Sequence, residues 1–367
     1  MEQGNTDTTI IGGGVVGLSV AFGLLKAGQS VTVLDGENAD LRASQGNFGL
    51  TWLQGKGAHF APYARWTKHA INLWPAFAQE LQDMTGIDLA FQATGGYEFF
   101  TDNAEFDAFT ADLAAQAKTL GDDFRYQTLT GDALRAALPG IGEQIVGATF
   151  CPHDGHVNPL RVLQALRVAV QRLGGVIIPN WKVHSISPHA SGFKVHHATH
   201  APRLTPHLIL CAGLGSADLA PMLGFRTAIR PQKGELMITE RIQDRLPFVS
   251  STVRQVDEGG IQIGGTKADV GPDDRETTSK MKSLAQHAIA VWPTLKDVNV
   301  VRSWGALRVM TPDGYPVYAR APEMPAAQMI TCHSGITLAP AHASTLVDWI
   351  LNTQNAPDLK AFDDDRF

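Results

Sequence analysis

Cysteine is scarce: 367 residues contain three, Cys151, Cys211 and Cys332, far apart in the chain. An odd number without close spacing provides neither a disulfide framework nor a zinc-ligand set, and it suits reduced, buried thiols in a cytoplasmic protein. No stretch approaches the roughly 20 consecutive apolar residues of a membrane-spanning helix. Met1 to Asp7 lacks the basic and apolar regions of a secretory signal. No strong excess of one charge is present either. Thirty basic against 36 acidic residues leave a net charge of -6, with no long basic stretch of the kind that binds nucleic acid. Internal repeats and low-complexity blocks are missing too. What remains is an ordinary globular composition, 44% hydrophobic and 18% charged, with the length of about two domains.

Periodicity orders the chain. A short apolar run, Thr8 to Ile11, leads into glycines; an apolar helix follows over Val15–Lys26, stopped by Gly28, and a second apolar run over Val31–Leu34 ends at Asp35. Helical stripes are predicted over 65–81, 103–120, 160–173, 275–291 and about 340–352, the last from Ala343, Leu346, Val347, Ile350 and Leu351. Strands are predicted within 92–100, over 176–179, 182–185, 193–197 and 208–211, through 230–264, and over 300–309 and 329–332. Nucleotide-type elements thus stand at the start, middle and end of the chain, with strand-rich material between them.

Gly12-Gly13-Gly14-Val15-Val16-Gly17 fits G-x-G-x-x-G between a strand and a helix, with Asp35 ending the next strand. Gly12 allows the tight turn, Gly14 lets backbone N–H groups reach a pyrophosphate, and Gly17 lets helix and strand pack. The helix N-terminus offers free donors and partial positive charge to phosphates. Asp35 can accept hydrogen bonds from ribose hydroxyls and repels a 2′-phosphate. The motif alone separates neither FAD from NAD nor, without its context, a ligand site from a bare glycine turn.

Four further segments, at ordered spacing, join the glycine motif: 42–49 (RASQGNFG), 154–159 (DGHVNP), 304–308 (WGALR) with 311–314 (TPDG), and 333–340 (HSGITLAP). Together they resemble the D-amino acid oxidase superfamily of FAD-dependent oxidoreductases, the group of glycine oxidase and sarcosine oxidase, over nearly the whole chain. The stretches 47–50 (NFGL) and 54–57 (QGKG) are similar to a narrower branch, the catalytic B-type subunits of opine oxidase, hydrogen cyanide synthase and D-hydroxyproline dehydrogenase. The resemblance implies an α/β fold: a Rossmann-like FAD-binding domain over 1–85, 146–226 and 305–367, and a mostly antiparallel-sheet substrate domain inserted as 86–145 and 227–304. It also implies non-covalent FAD, since no cysteine lies between Leu307 and Thr311, and partner subunits or an electron acceptor.

The resemblance extends the cofactor site. Arg42, Ala43, Ser44, Asn47, Phe48, Gly49 and Leu50 would follow the pyrophosphate and flavin, although a surface loop of this composition is common. Val183 would pair with adenine or serve as a core valine. Cys211, Ala212 and Gly213 would let the chain approach the ADP moiety. Gly335, Ile336, Thr337 and Leu338, ahead of a helix with Pro340 near its first turn, would face the flavin N1/O2 edge with backbone N–H groups.

For catalysis the resemblance points to Arg308, also counted with the cofactor residues, as the clamp on a substrate carboxylate, since its fork binds both oxygens. His333 is a candidate for tuning the flavin or orienting substrate, and equally for a structural histidine; Lys56 and His59 are weaker candidates. Gln262 stands near a position where sarcosine oxidases carry a lysine, which implies slow reaction with oxygen. His196, His197, His200 and His207 read as a solvated hairpin, and no metal is expected. The implied reaction is oxidation of a C–N bond in an opine, D-amino acid, glycine or hydroxyproline. A 2-hydroxy acid dehydrogenase and a non-catalytic FAD-holding subunit stay open as alternatives.

Overall fold

The computed structural model describes residues 7–37 and 42–367; the first six residues of the predicted nucleotide domain and residues 38–41 lie outside these. The central sheet has six strands in the order Val317–Arg320, Ala327–Thr331, His207–Leu210, Thr8–Ile11, Val31–Leu34, Val176–Ile178. All neighbours are parallel except the edge strand Val317–Arg320. Its inner strands are short and apolar because helices or a second sheet cover both faces, as parallel sheets require. Ile10, Val33 and Ile209 pack on one face with the helices Val15–Lys26 and Pro159–Arg172. Ile11, Leu34 and Leu210 pack on the other against Phe193 and Val195 of a small antiparallel sheet.

A second sheet runs Val253–Gln255, Gly260–Ile263, Arg230–Arg241, Val300–Met310, all antiparallel. A third joins Gly96–Phe100, Gly147–Cys151 and Gln127–Thr130. Phe99, Leu134 and Ala148 share one core with Met237, Ile263 and Leu284, so both pieces of the predicted insertion meet there. Gly147–Cys151 belongs to this third sheet although it follows residue 145, and Val300–Met310 runs through the predicted border at 304/305.

The predicted terminal helix is two helices, Gly335–His342 and Thr345–Leu351. Ser344 breaks them with non-helical dihedrals, φ -138 and ψ -91, and its hydroxyl donates to Pro340 O at 2.7 Å. The first helix begins at Gly335, so Pro340 lies in its interior rather than near its start. The apolar stripe concealed the break because Ala343, Leu346, Val347 and Ile350 are buried on both sides of it. The long helix Ala61–Thr85 braces this region: Trp74 Nε1 donates to Thr337 O at 3.0 Å. Among the described residues no helix is long and apolar enough to cross a membrane.

Candidate active site

The glycine turn is built for close approach. Gly12 has φ +111, and a Cβ there would stand 2.3 Å from Cys211 O; at Gly17 a Cβ would stand 2.0 Å from Gly12 O. Strand and helix therefore meet with no room for a side chain. Val15 N donates to Ser44 Oγ at 3.0 Å, which draws the loop from Arg42 onward over the helix N-terminus.

Asp35, expected to accept hydrogen bonds from ribose hydroxyls, already accepts four from the protein. Arg42 Nη1 donates to both carboxylate oxygens at 3.0 and 3.1 Å, Arg167 Nη2 donates at 2.6 Å, and Gly13 N donates at 3.1 Å. A carboxylate offers about four acceptor positions, and these four hydrogen bonds fill them. Burial pushes the Asp35 carboxyl up, but the Arg167 hydrogen bond and the charges of Arg42 and Arg167 outweigh it and hold the group below its ordinary value.

From Asp35 a cavity of about 1370 Å³ runs to Arg308. That exceeds the roughly 300–1,000 Å³ of sites for drug-sized ligands and suits a dinucleotide with a substrate beyond it. All the predicted cofactor and catalytic residues line it except Gly17, Gly49 and Leu338. Gly17 packs against Gly12, Gly49 turns the chain at φ +90 close to Val157 O, and Leu338 is fully buried in the core. His59 is exposed, pairs with Asp112 and takes no part in the cavity wall. Gln262 is also absent from the wall: it is buried and accepts Arg254 Nη2 at 2.6 Å, while Arg254 Nε donates to Phe48 O at 2.7 Å. Its neutrality therefore says nothing about oxygen, and the expectation built on it loses its geometric basis.

At the far half of the cavity stands the N-terminus of Gly335–His342. The N–H groups of Gly335, Ile336 and Thr337 have no acceptor among the described residues. Thr337 Oγ1 accepts from Trp52 N at 3.3 Å and donates to Leu50 O at 3.2 Å, fixing this turn against the strand Leu50–Thr51. Three unpaired amides at a helix start favour negative charge beside them. With the glycine turn at one end and these amides at the other, the residues present fit a flavin dinucleotide.

Beyond them Arg308 lines the wall from the strand Val300–Met310, largely buried, donating to Lys233 O at 3.3 Å and Thr266 O at 3.1 Å. Burial lowers its pKa. His333 is held well below its ordinary value by burial and by the charges of Lys56, Arg308 and Lys267, so the ring is neutral. Ser334 Oγ gathers His333 Nδ1 at 3.1 Å, Tyr63 OH at 2.8 Å and Lys56 Nζ at 3.3 Å.

The model of the DAO family, FAD dependent oxidoreductases, matches residues 7–349. The chain belongs to this family. It is an FAD-dependent oxidoreductase, and its cofactor is FAD. It is similar to the B subunit of opine oxidase from Agrobacterium tumefaciens (strain Ach5), 39% identical over 362 residues that cover 98% of this chain and 97% of that one. Similarity to the corresponding opine oxidase chain of Rhizobium meliloti is 38% over 364 residues, with 98% and 97% covered. The crystal structure of glycine oxidase from Geobacillus kaustophilus superposes with a TM-score of 0.88 at 24% identity, covering 98% of each chain, which shows the same fold.

Several residues in or beside this cavity were not singled out from the sequence. Glu98 lines the cavity, accepting Trp52 Nε1 at 3.1 Å and the Ser251 hydroxyl; burial pushes it up to about 7. Its signal was present in the alternation of Gly96–Phe100: Tyr97 and Phe99 stack toward the core, which leaves Glu98 and Phe100 to the other face. Arg167 and Lys267 carried no local signal; a helix and a loop bring them to residues distant in sequence.

Proposed function

We propose that this chain oxidises the C–N bond of an amino or imino acid to an imine, with opine acids as the leading substrate class. Arg308 carries the reading. Its guanidinium stands at the cavity wall, largely buried, with carbonyls as its only hydrogen-bond partners and no acidic partner among the described residues. A partly buried, permanently charged arginine without an acid suits a substrate carboxylate, which its planar fork binds through both oxygens.

FAD supplies the hydride acceptor when bound. Asp35, Val183 and 211–213 would hold its adenosine, Gly12 to Val16 with Arg42 to Ser44 its pyrophosphate, and 47–50 with 335–337 its flavin. Arg308 fixes the substrate carboxylate and so the position of the adjacent C–H. Neutral His333 orients substrate without adding charge, and Phe48, Trp52 and Phe100 exclude water from that end. The same reading divides the chain into an FAD domain of 1–85, 146–226 and 305–367 and a substrate domain of 86–145 and 227–304, with the strand Val300–Met310 carrying Arg308 across the border.

Similarity to a chain of opine oxidase supports the substrate class, and that relative's being one of several subunits supports work within a heteromeric dehydrogenase. A partner chain or small electron acceptor then takes the electrons onward. The test is anaerobic titration of the purified, yellow protein with opines, D-amino acids, glycine, hydroxyproline and 2-hydroxy acids, following flavin absorbance. Bleaching by amine-bearing acids is expected; bleaching by hydroxy acids alone, or by none, contradicts the proposal.

A further inference from the structure

Lys233 and Glu235 are 2% and 1% exposed and form an ion pair at 3.4 Å, yet neither lines the cavity. Both project from the strand Arg230–Arg241 on the face opposite Gly234, which does line it. Taking two charges out of water costs about as much as their attraction returns, so a buried ion pair is a poor source of stability. What this pair holds is a segment of chain, 265–277, that starts at the cavity and ends on the other face of the sheet.

At the start of the segment Gly265 and Lys267 line the cavity. Thr266 Oγ1 accepts from Glu235 N at 2.7 Å, and Ala268 exchanges backbone hydrogen bonds with Lys233 at 2.9 and 3.0 Å. At its end, Lys233 Nζ donates to Arg275 O at 2.7 Å, and the Glu235 carboxylate accepts Thr277 N at 2.8 Å and Thr277 Oγ1 at 3.1 Å. Gly305, the strand partner of Glu235, leaves room for this return: a Cβ there would stand 2.0 Å from Asp274 O. The same two places hold the clamp, because Arg308 Nη1 donates to Thr266 O at 3.1 Å and to Lys233 O at 3.3 Å. A shift of the segment therefore moves one of the two carbonyls that orient the guanidinium.

We propose that the Lys233–Glu235 pair is a positioning device for Arg308: it staples residues 265–277 to the reverse face of the sheet and so fixes Thr266 O against the guanidinium. This rests on the reading of Arg308 as a carboxylate clamp and adds two positioning residues to it. Lys233 acts on both faces of its strand, its carbonyl accepting Arg308 and its ammonium holding the far end of the segment. Preorganisation of this kind is felt in substrate affinity, since a misplaced fork no longer meets both carboxylate oxygens.

The test uses the FAD-loaded protein and N-methylglycine, with dissociation constants read from anaerobic perturbation of the flavin spectrum. Lys233→Met with Glu235→Leu removes both charges and leaves neither unpaired. Faster hydrogen exchange over 266–277 is expected, with affinity about tenfold weaker and FAD content native. Gly305→Ala pushes on Asp274 O and leaves the pair intact. It is expected to weaken affinity about threefold, and it serves if the double variant fails to fold. In an Arg308→Ala background neither change should weaken binding further, because both act through that arginine. Native affinity in these variants, or the same loss with and without Arg308, overturns the positioning role while the clamp stands. If Arg308→Ala itself binds N-methylglycine as the native protein does, the clamp falls and the positioning role with it.

Discussion

The guanidinium of Arg308 lies directly against the backbone of Gly234: a Cβ built at Gly234 would stand 2.7 Å from both Nη atoms. The two residues are diagonal neighbours on adjacent strands, since Gly234 pairs with Ala306 and Arg308 with Gln232. Gly234 is therefore what lets the arginine fork lie flat along the sheet at the cavity wall.

Gly234→Ala should displace Arg308 without touching the nucleotide end. A charge-assisted hydrogen bond contributes about 1.5–3 kcal/mol, so substrate affinity should fall roughly 10- to 100-fold while FAD content stays native. Anaerobic titration with a reducing amino acid measures the first and the absorbance ratio of flavin to protein the second. Unchanged affinity would mean that the fork has no fixed seat on this strand.

Arg167 ties the glycine turn to the end of the strand Val31–Leu34, donating to Gly13 O at 3.1 Å and Asp35 Oδ2 at 2.6 Å. Arg167→Ala should leave Asp35 with Arg42 and the Gly13 amide and loosen the turn. Removing one partner of a largely buried charge pair costs up to about 3–5 kcal/mol, less here because Arg42 remains and Arg167 is partly exposed. Weaker FAD binding, by about tenfold or more, is expected from fluorescence quenching on reconstitution, and native affinity would remove Arg167 from the site.

The pH dependence of binding follows from Lys56 and Glu98. Burial first, then the charge of Lys267, brings the Lys56 ammonium down to about 8, and burial pushes Glu98 up to about 7. As pH rises through 7 and 8, Glu98 gains negative charge and Lys56 loses positive charge, so both changes make this end of the cavity less favourable to a substrate carboxylate. An amino acid substrate should bind most tightly below pH 7 and more weakly above pH 8. His333, already neutral, should add no inflection between pH 5 and 8. Lys56→Met should flatten the upper limb; a limb that persists in that variant belongs to another group.

Much of the nucleotide half was legible because its signals are local. Gly12 to Gly17, the helix after it and Asp35 lie within one strand–helix–strand unit, and Arg308 stands in a recognisable run of residues. What was missed comes from distant segments. Gly234 meets Arg308 only through the register of two strands far apart in sequence, Arg167 reaches Asp35 from a helix on the other side of an entire sheet excursion, and Lys267 sits on a loop without periodicity. Gln262 was singled out only through the resemblance to sarcosine oxidases, and its side chain is buried against Arg254 instead of lining the cavity. The helix break at Ser344 was invisible because buried apolar residues flank it at helical spacing on both sides.

The most direct test of the central claim is the anaerobic reduction of bound FAD in the native protein and in Arg308→Ala, with the same opine or amino acid at increasing concentration. Complete, saturable bleaching is expected in the native protein and, with FAD still bound, at least a hundredfold loss of apparent affinity in the variant. Identical concentration dependence in the two proteins would contradict the carboxylate clamp.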